Sequence, residues 1–477
     1  MMTEGSSRIA LTALLVLVAL AMPALSADLV VVEQPIADGS FPILHGRCVQ
    51  GSTLVRIGAD DSRTVLTPDF DGACDPSVSF DGRELLFAGR KASSDSWQVW
   101  KMELGTGDAS RITAHPGHAF APIWVGSVFH LDDEAPTRRI AYLATTPAGG
   151  QLPALHTSNL DGSDPLRISF SPNGDLAPEI LPNGRIVYPT LGPPNGFRSS
   201  LMSLNIDGTD LAVFADPHDT PLYPHTIRVG HDGKVYYVEA VGRALQGGAL
   251  ATVSLRRPLR SREVVATTKA GLYLDPAPMS DGRLLASHSG GESPAWELVR
   301  LDPETGRILG IVHRREGFHV LDAHEIIPRP VVPGRSTVVD TSKATGVFFC
   351  ISSHITDRPS LAHLRTGGVN RLRVLESHAD RHSNAHEQIL GEAPVQPDGS
   401  FHIEVPAQRP LRFQLIDNEG TVIGEQESWT WVMPREWRGC IGCHEDREMV
   451  APNVLADAIV KPAVPVGVAP RTNGEHK

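Results

Sequence analysis

A turn signal recurs along this chain at a fixed spacing. Asp81-Gly82 lies in "DPSVSFDGRELLFAGR", Asn183-Gly184 in "APEILPNGRIVYPT", Asp232-Gly233 in "PHTIRVGHDGKVYYVEA" and Asp281-Gly282 in "DPAPMSDGRLLASHSG". The last three are each 49 residues apart, and the first stands 102 residues, two such steps, before the second. The missing copy falls at "APIWVGSVFHLDDEAPTRRIAYLA", where a longer, charged turn replaces the short one. In each copy an extended segment leads into a pair that supplies the positive φ of a tight hairpin, and a β-rich segment follows. A second turn recurs about 25 residues on, in "MELGTGDASRIT", "SNLDGSDPLRIS", "LNIDGTDLAVFAD" and "VRLDPETGRILGIV". Two hairpins per repeat make a four-stranded sheet, and such sheets repeating every 40 to 50 residues or so are the mark of a β-propeller.

The expectation is therefore an all-β fold, with a TolB/WD-like propeller of about six blades over residues 28–325. "VRIGADDSRTVLT" at 55–67 reads as the outer half of a blade that starts near residue 30, and an N-terminal strand is expected to complete the last blade. Gly and Pro, at 44 and 38, suit a chain with many turns. The Asp-Gly pairs read as turn builders and the aromatics as blade filling. No nucleophile-elbow spacing marks the Ser, His and Asp residues here. His118, His225 and His319 read as structural or surface residues, with a minority free to face a cofactor at a domain junction.

Residues 326–338 include "PRPVVPGRS", a Pro-rich linker. Beyond it, residues 339–455 read as a second, β-rich domain. Phe401, Ile403 and Val405 alternate with His402 and Glu404, and Leu411, Phe413 and Leu415 precede the turn Asn418-Glu419-Gly420. This period of two predicts antiparallel strands of a small β-sandwich. "ESHADRHSNAHEQIL" at 376–390 reads as a loop or short helix, and 456–477 as a disordered tail.

At the N-terminus Arg8 precedes an apolar run, Ile9–Ala24, broken by Thr12 and Pro23, and small residues lead to Asp28. This is the pattern of a secretory signal over 1–27. A membrane anchor is the competing reading, but the run falls short of the roughly 20 residues a span needs. The mature chain is expected in the periplasm or beyond, with no membrane span. A net charge of −12, spread along the chain, leaves no basic stripe for nucleic acid.

The chemistry concentrates in "WTWVMPREWRGCIGCHEDREMVAPN". Cys440 and Cys443 have the spacing to take up the two vinyl groups of one porphyrin edge, and His444 follows as the expected iron ligand, the attachment pattern of haem c. Haem c is made outside the cytoplasm, which agrees with the signal sequence. A thioredoxin-like dithiol would need a strand-to-helix turn in an α/β fold. A structural zinc site would need a second ligand pair. Cys350 with His354 is the best remaining set, and zinc through Cys350 and His444 is kept as a minor alternative. Met449 is a candidate distal iron ligand, as are Met433 and the histidines of 378–386. Trp429, Trp431 and Trp437 are candidate pocket walls. Cys48 and Cys74, both in the first repeat, are the candidate disulfide, although sequence does not set connectivity.

TolB-like repeats, then "LGEAPVQPDGSFHIEVPAQRPLRFQLIDNEG", then "SWTWVMPREWRGCIGCHE" resemble the hydrazine synthase alpha-subunit type, whose middle domain carries a haem attachment motif in this setting. The resemblance implies one covalent haem at Cys440 and Cys443. In that family a tyrosine after the motif ligates the iron, and the motif histidine turns to a zinc. Here the matching stretch, Glu445-Asp446-Arg447-Glu448-Met449, has no tyrosine, which returns His444 to the iron. Two function classes follow. One is a haem protein for periplasmic electron transfer or redox chemistry, with a redox partner protein. The other is a propeller-based binding or scaffold protein whose haem is structural or sensory. Whether the chain is an enzyme, and its oligomeric state, are not readable from these residues.

Overall fold

The computed structural model describes residues 27–36, 48–131, 133, 135–145, 152–191, 199–216, 222–242, 245–290, 295–379, 385–443 and 450–468. The signal-like segment, His444 and Met449 lie outside these. None of the described helices is long and apolar enough to cross a membrane.

Six sheets form the propeller. Blade 2 runs outward from Gly72–Val78 through Glu84–Arg90 and Gln98–Glu103 to Ala109–Arg111. Blades 3 to 6 repeat this order, with inner strands Ala119–Phe129, Glu179–Ile180, Leu222–Val229 and Leu272–Pro278. Blade 1 is assembled from both ends of the ring. Its inner strand is Phe318–Glu325, and its next three are Leu29–Pro35, Thr53–Ile57 and Arg63–Val65. The recurrent turn glycines hold positive φ: Gly82 at 73°, Gly184 at 80°, Gly233 at 78° and Gly282 at 85°. A side chain there would be strained, which is why the pairs repeat.

The inner strands share a second device. Asp75, Ala121, Thr226, Asp275 and Asp322 all have φ between 44° and 54°. Ladder shifts at Cys74/Ser77, Phe120/Ile123, His225/Arg228 and Leu274/Ala277 mark bulges at the first four. At Ala121 and Asp322 a carboxylate of the neighbouring blade takes up the backbone N–H. The Asp75 carboxylate accepts from Ala121 N at 3.0 Å, and Asp275 from Asp322 N at 3.1 Å. The histidines form a matching set. His118 Nδ1 accepts from Trp97 N, and His319 Nδ1 from Trp296 N, each at 3.2 Å. Burial lowers the His319 pKa, so the neutral ring that accepts is favoured. His225 is fully buried and lines the propeller channel. These three are structural, and none faces the domain junction.

Cys48 and Cys74 are joined by a disulfide, with Cα atoms 5.4 Å apart, which ties the connection between two strands of blade 1 to the inner strand of blade 2. Apolar side chains fill the spaces between blades. Leu29, Val31, Val55 and Ile57 of blade 1 pack on Ala277, Leu285 and Leu298 of blade 6.

After blade 1 the chain crosses the channel mouth. Arg329 N donates to Phe80 O at 2.7 Å, and Arg335–Ser336 adds a parallel strand to blade 3. The second domain is a sandwich of two four-stranded sheets. One orders Trp437–Cys440, Thr345–Cys350, Phe401–Pro406 and Val464–Pro465; the other orders Ala385–Pro394, Arg371–Ala379, Leu411–Ile416 and Val422–Glu425. Two expectations are corrected here. Residues 376–379 and 385–390 do not form a loop or helix; they are paired antiparallel strands, held as Arg412 donates to Glu387 at 2.6 Å, and 380–384 lie outside the described residues. Residues 456–468 of the expected tail are ordered, with Val464 paired to Ile403 and Ala456, Ala458 and Val466 buried. Their small and apolar side chains suit burial against a sheet, a pattern masked by the surrounding prolines.

Glu33, fully buried, binds Arg63 of its own blade together with His313 of blade 6 and Arg315. Burial pushes its carboxyl up, but these three donors outweigh that and hold it well below the usual range. Glu33→Ala should cost about 1–2 kcal/mol in urea unfolding at pH 7, because it removes charge-assisted hydrogen bonds to Arg63, His313 and Arg315, discounted because the two arginines are part-exposed. The folded pKa is depressed, so this contribution is complete above the unfolded value of about 4.3 and is lost as pH falls from there. The stability gap between the two proteins should therefore narrow below about pH 4. A gap that persists unchanged would refute the closure role.

Candidate functional site

Cys440 ends the edge strand Trp437–Cys440, which lies parallel to Thr345–Cys350 and places Cys440 opposite Cys350. The turn after it is stitched to the segment following Cys350. Ile351 N donates to Cys440 O at 2.9 Å, Ser352 N to Ile441 O at 3.2 Å and Cys443 N to Ile355 O at 2.8 Å. Gly442 makes this approach achievable, since a Cβ there would stand 2.2 Å from Ile355 O. Both motif cysteines are thus held on a rigid sheet edge and are only half-buried.

They face a cavity of about 580 Å³ between the two domains, within the usual range of cofactor pockets, about 300–1,000 Å³. Phe348, Phe401, Phe413 and Leu372 form the sandwich wall, and Leu211 and Val213 of blade 4 the propeller wall. The rim is charged. Arg358 pairs with Glu427 at 2.8 Å and Asp216 at 3.7 Å, and Arg260 with Asp357 at 3.2 Å. A slot walled by phenylalanine and leucine side chains, with two thiols at one edge, matches a flat, apolar macrocycle. The residues present fit a covalently held porphyrin.

The junction itself is fastened by Glu436. Its carboxylate accepts from Asp210 N at 2.8 Å and from Met433 N at 2.7 Å. Burial raises its pKa. Trp431 packs edge-on against Phe170 of the propeller at 5.8 Å, and Met433 abuts Gly208.

These contacts correct several expectations. Met433 is fully buried in the propeller-side core and does not line the cavity, which removes it as a distal ligand. The three tryptophans do not wall the cavity either. Trp431 belongs to the junction core, Trp429 lies under Arg412 and Trp437 is 62% exposed beside His402. The walls are phenylalanines from the sandwich strands, readable only as alternating core residues. Of the 378–386 histidines, His378 and His386 are register partners in the paired strands, His386 is exposed and outside the cavity lining, and His382 lies outside the described residues. Cys350 does line the cavity, but the described residues gather no three metal-ligating groups around it. The described cluster of that kind is Cys48, Cys74 and Asp75, whose two sulfurs are spent in the disulfide. A second chamber, about 430 Å³, lies along the propeller channel with Arg228, Asp322, His324 and Glu179 on its wall, and has no thiol.

Residues 368–445 match the family model described as the hydrazine synthase alpha subunit middle domain. Hydrazine synthase subunit alpha of Kuenenia stuttgartiensis is 21% identical over 519 aligned positions, which cover 83% of this chain and 62% of that protein. The chain thus spans less than two thirds of the length of this relative. The solved Kuenenia stuttgartiensis hydrazine synthase superposes with a TM-score of 0.80 at 16% identity, over 92% of this chain and 71% of that one. TolB from Acinetobacter baumannii aligns over 63% of this chain and 66% of its own, at 12% identity and a TM-score of 0.45. In sequence and fold the chain is similar to the hydrazine synthase alpha subunit: a six-bladed propeller precedes a stretch, residues 368–445, that matches the model of that subunit's middle domain.

Proposed function

We propose that this chain is an exported c-type haem protein acting in periplasmic electron transfer or redox chemistry. The observation that carries this reading is the junction cavity, with both motif thiols at one edge and apolar walls from both domains. Bound there, haem would supply one-electron chemistry at its iron. Each thiol adds across one vinyl group, with sulfur bonding one carbon and the proton going to the other, so no oxidant is needed. Cys440 and Cys443 would hold the ring edge through thioether bonds, and His444 would supply a nitrogen ligand to the iron. Phe348, Phe401, Phe413 and Leu211 exclude water, which raises the weight of every charge near the iron.

Export is supported by the signal-like N-terminus and by the Cys48–Cys74 disulfide, a bond that persists in oxidising compartments. The relative is a subunit of its enzyme, which supports a protein redox partner for this chain as well. Without the tyrosine of the family pattern, electron transfer is favoured over carrying hydrazine chemistry across from the relative.

The deciding measurement is a pyridine haemochrome spectrum with intact mass, on protein expressed alongside a haem c maturation system. The expected result is one covalent haem on a chain cleaved near residue 27. Cys440→Ala with Cys443→Ala should abolish that added mass; its retention, or no haem on the unsubstituted chain, refutes the reading. Gly442→Ala should cut haem attachment several-fold and destabilise the domain by about 2 kcal/mol through overpacking, because the new methyl group collides with Ile355 O and displaces Cys443. Unchanged loading in this variant would show that the turn does not position the thiols.

A further inference from the structure

Among the described residues three thiols line the junction cavity, and the haem reading uses only two of them. The third, Cys350, is the register partner of Cys440. The strands Thr345–Cys350 and Trp437–Cys440 run parallel, and Ile351 N donates to Cys440 O at 2.9 Å. Strands paired in this way stand roughly 4.8 Å apart. A disulfide joins Cα atoms that are about 4.4–6.8 Å apart.

The two side chains also share a face. Arg438 stands 5.6 Å over the Phe348 ring, whereas a Cβ at Gly439 would meet the Phe349 ring at 2.5 Å. Register partners therefore project together, and the faces alternate along the pair. Cys350 and Cys440 fall on the side of Phe348 and Arg438, and both pack into the sandwich core. Their exposure differs. Cys350 is 2% exposed, while Cys440 is half-buried. Cys443 is tied to the segment beyond, where its N–H donates to Ile355 O at 2.8 Å. On the proposed export, these thiols meet the oxidising conditions under which the Cys48–Cys74 bond persists.

We propose that Cys350 is a resolving thiol, which forms a disulfide with Cys440 in the haem-free chain. The accessible Cys440 thiolate attacks a small-molecule or protein disulfide, and one of that oxidant's sulfurs leaves as a thiol. Cys350, buried beneath, then attacks the Cys440 sulfur of the mixed disulfide and releases the second thiol. The two cysteines lose two protons and two electrons, and the oxidant's disulfide becomes two thiols. With its sulfur bonded to Cys350, Cys440 has no S–H to add across a vinyl group. A dithiol reductant must therefore act before both thioethers can form. That consequence rests on the haem reading above; the disulfide itself does not.

The test is thiol mapping by mass spectrometry. It uses the full chain, expressed without haem maturation and equilibrated with oxidised and reduced glutathione. The expected product carries a Cys350–Cys440 disulfide beside Cys48–Cys74, with Cys443 open to alkylation. Cys443→Ala should keep the new bond, and Cys440→Ala should lose it. A Cys440–Cys443 disulfide as the main product overturns the proposal. So do three alkylatable thiols under conditions that leave Cys48–Cys74 intact. Cys443→Ala removes the competing partner, so glutathione retained on Cys440 in that variant shows that Cys350 does not resolve it, and also overturns the proposal. The mapping needs no haem. A chain that shows the bond but takes up no haem in a maturation system therefore supports the disulfide while removing the haem reading.

Discussion

The pairing of Phe318–Glu325 with Leu29–Pro35 is the constraint on which the rest of the molecule depends, because it closes the ring. An open ring would expose two sheet edges and the apolar faces of blades 1 and 6, including Leu29, Val31, Leu285 and Leu298. The Asp275 to Asp322 hydrogen bond and the Trp296 to His319 bond hold the inner strand Phe318–Glu325 against blade 6, where Leu29–Pro35 can pair with it. Asp75 with Ala121 and Trp97 with His118 repeat that pattern between blades 2 and 3. The inner strand of the closing blade therefore meets blade 6 through the same contacts as an internal blade boundary. Glu33 adds a buried ionic contact there.

Closure also fixes where the second domain can lie. The chain leaves the ring from the inner strand of blade 1, at the channel mouth, and must cross to reach open surface. It does so over blade 2, through Arg329 and Phe80, and along blade 3, through Arg335 and Val128. The sandwich then meets blade 4. Its strand Trp437–Cys440 is a sheet edge, and Trp431 and Met433 just before it have no place in the sandwich core. They are buried in the propeller-side core instead. The cavity is a product of this docking, since neither domain alone supplies both its phenylalanine wall and its Leu211 and Val213 wall.

The ring was legible in the sequence because its key positions are local. A tight hairpin demands positive φ, few residues tolerate it, and so Gly82, Gly184, Gly233 and Gly282 mark the blades one by one. The bulge residues Asp75, Ala121, Thr226, Asp275 and Asp322 repeat just as regularly but were not legible, because a left-handed residue inside a strand has no fixed side-chain identity. The thiol positions were legible from spacing alone. The cavity walls were not, because Phe348, Phe401 and Phe413 are indistinguishable from ordinary strand-core residues until the two sheets are brought together. The tryptophans misled for the opposite reason. Their nearness to Cys440 in sequence says nothing of direction, and the turn through Met433 and Glu436 sends Trp431 into the propeller. Residues 456–468 were misread because composition alone does not show that Val464 will meet Ile403.

The path of the chain after the motif bears on what a haem held here would need. In a helical cytochrome the segments that follow the motif wrap the ring. Here residues 450–468 return to the sandwich, where Asp457 N donates to Asp398 and His402 bonds Lys461 O. They brace the sheet that carries Cys440 and line none of the cavity. Among the described residues, enclosure opposite the sandwich comes from the propeller side, from Leu211, Val213 and the ion pairs of Arg260 and Arg358. On the proposed reading, two thioether bonds hold the ring edge to the sandwich while a separate domain supplies the opposite wall and the rim charge. Attachment and environment are thereby divided between two rigid bodies. Substitutions at Cys440 and Cys443 would act on retention, whereas changes at the blade 4 surface would act on polarity and access around an iron that stays in place.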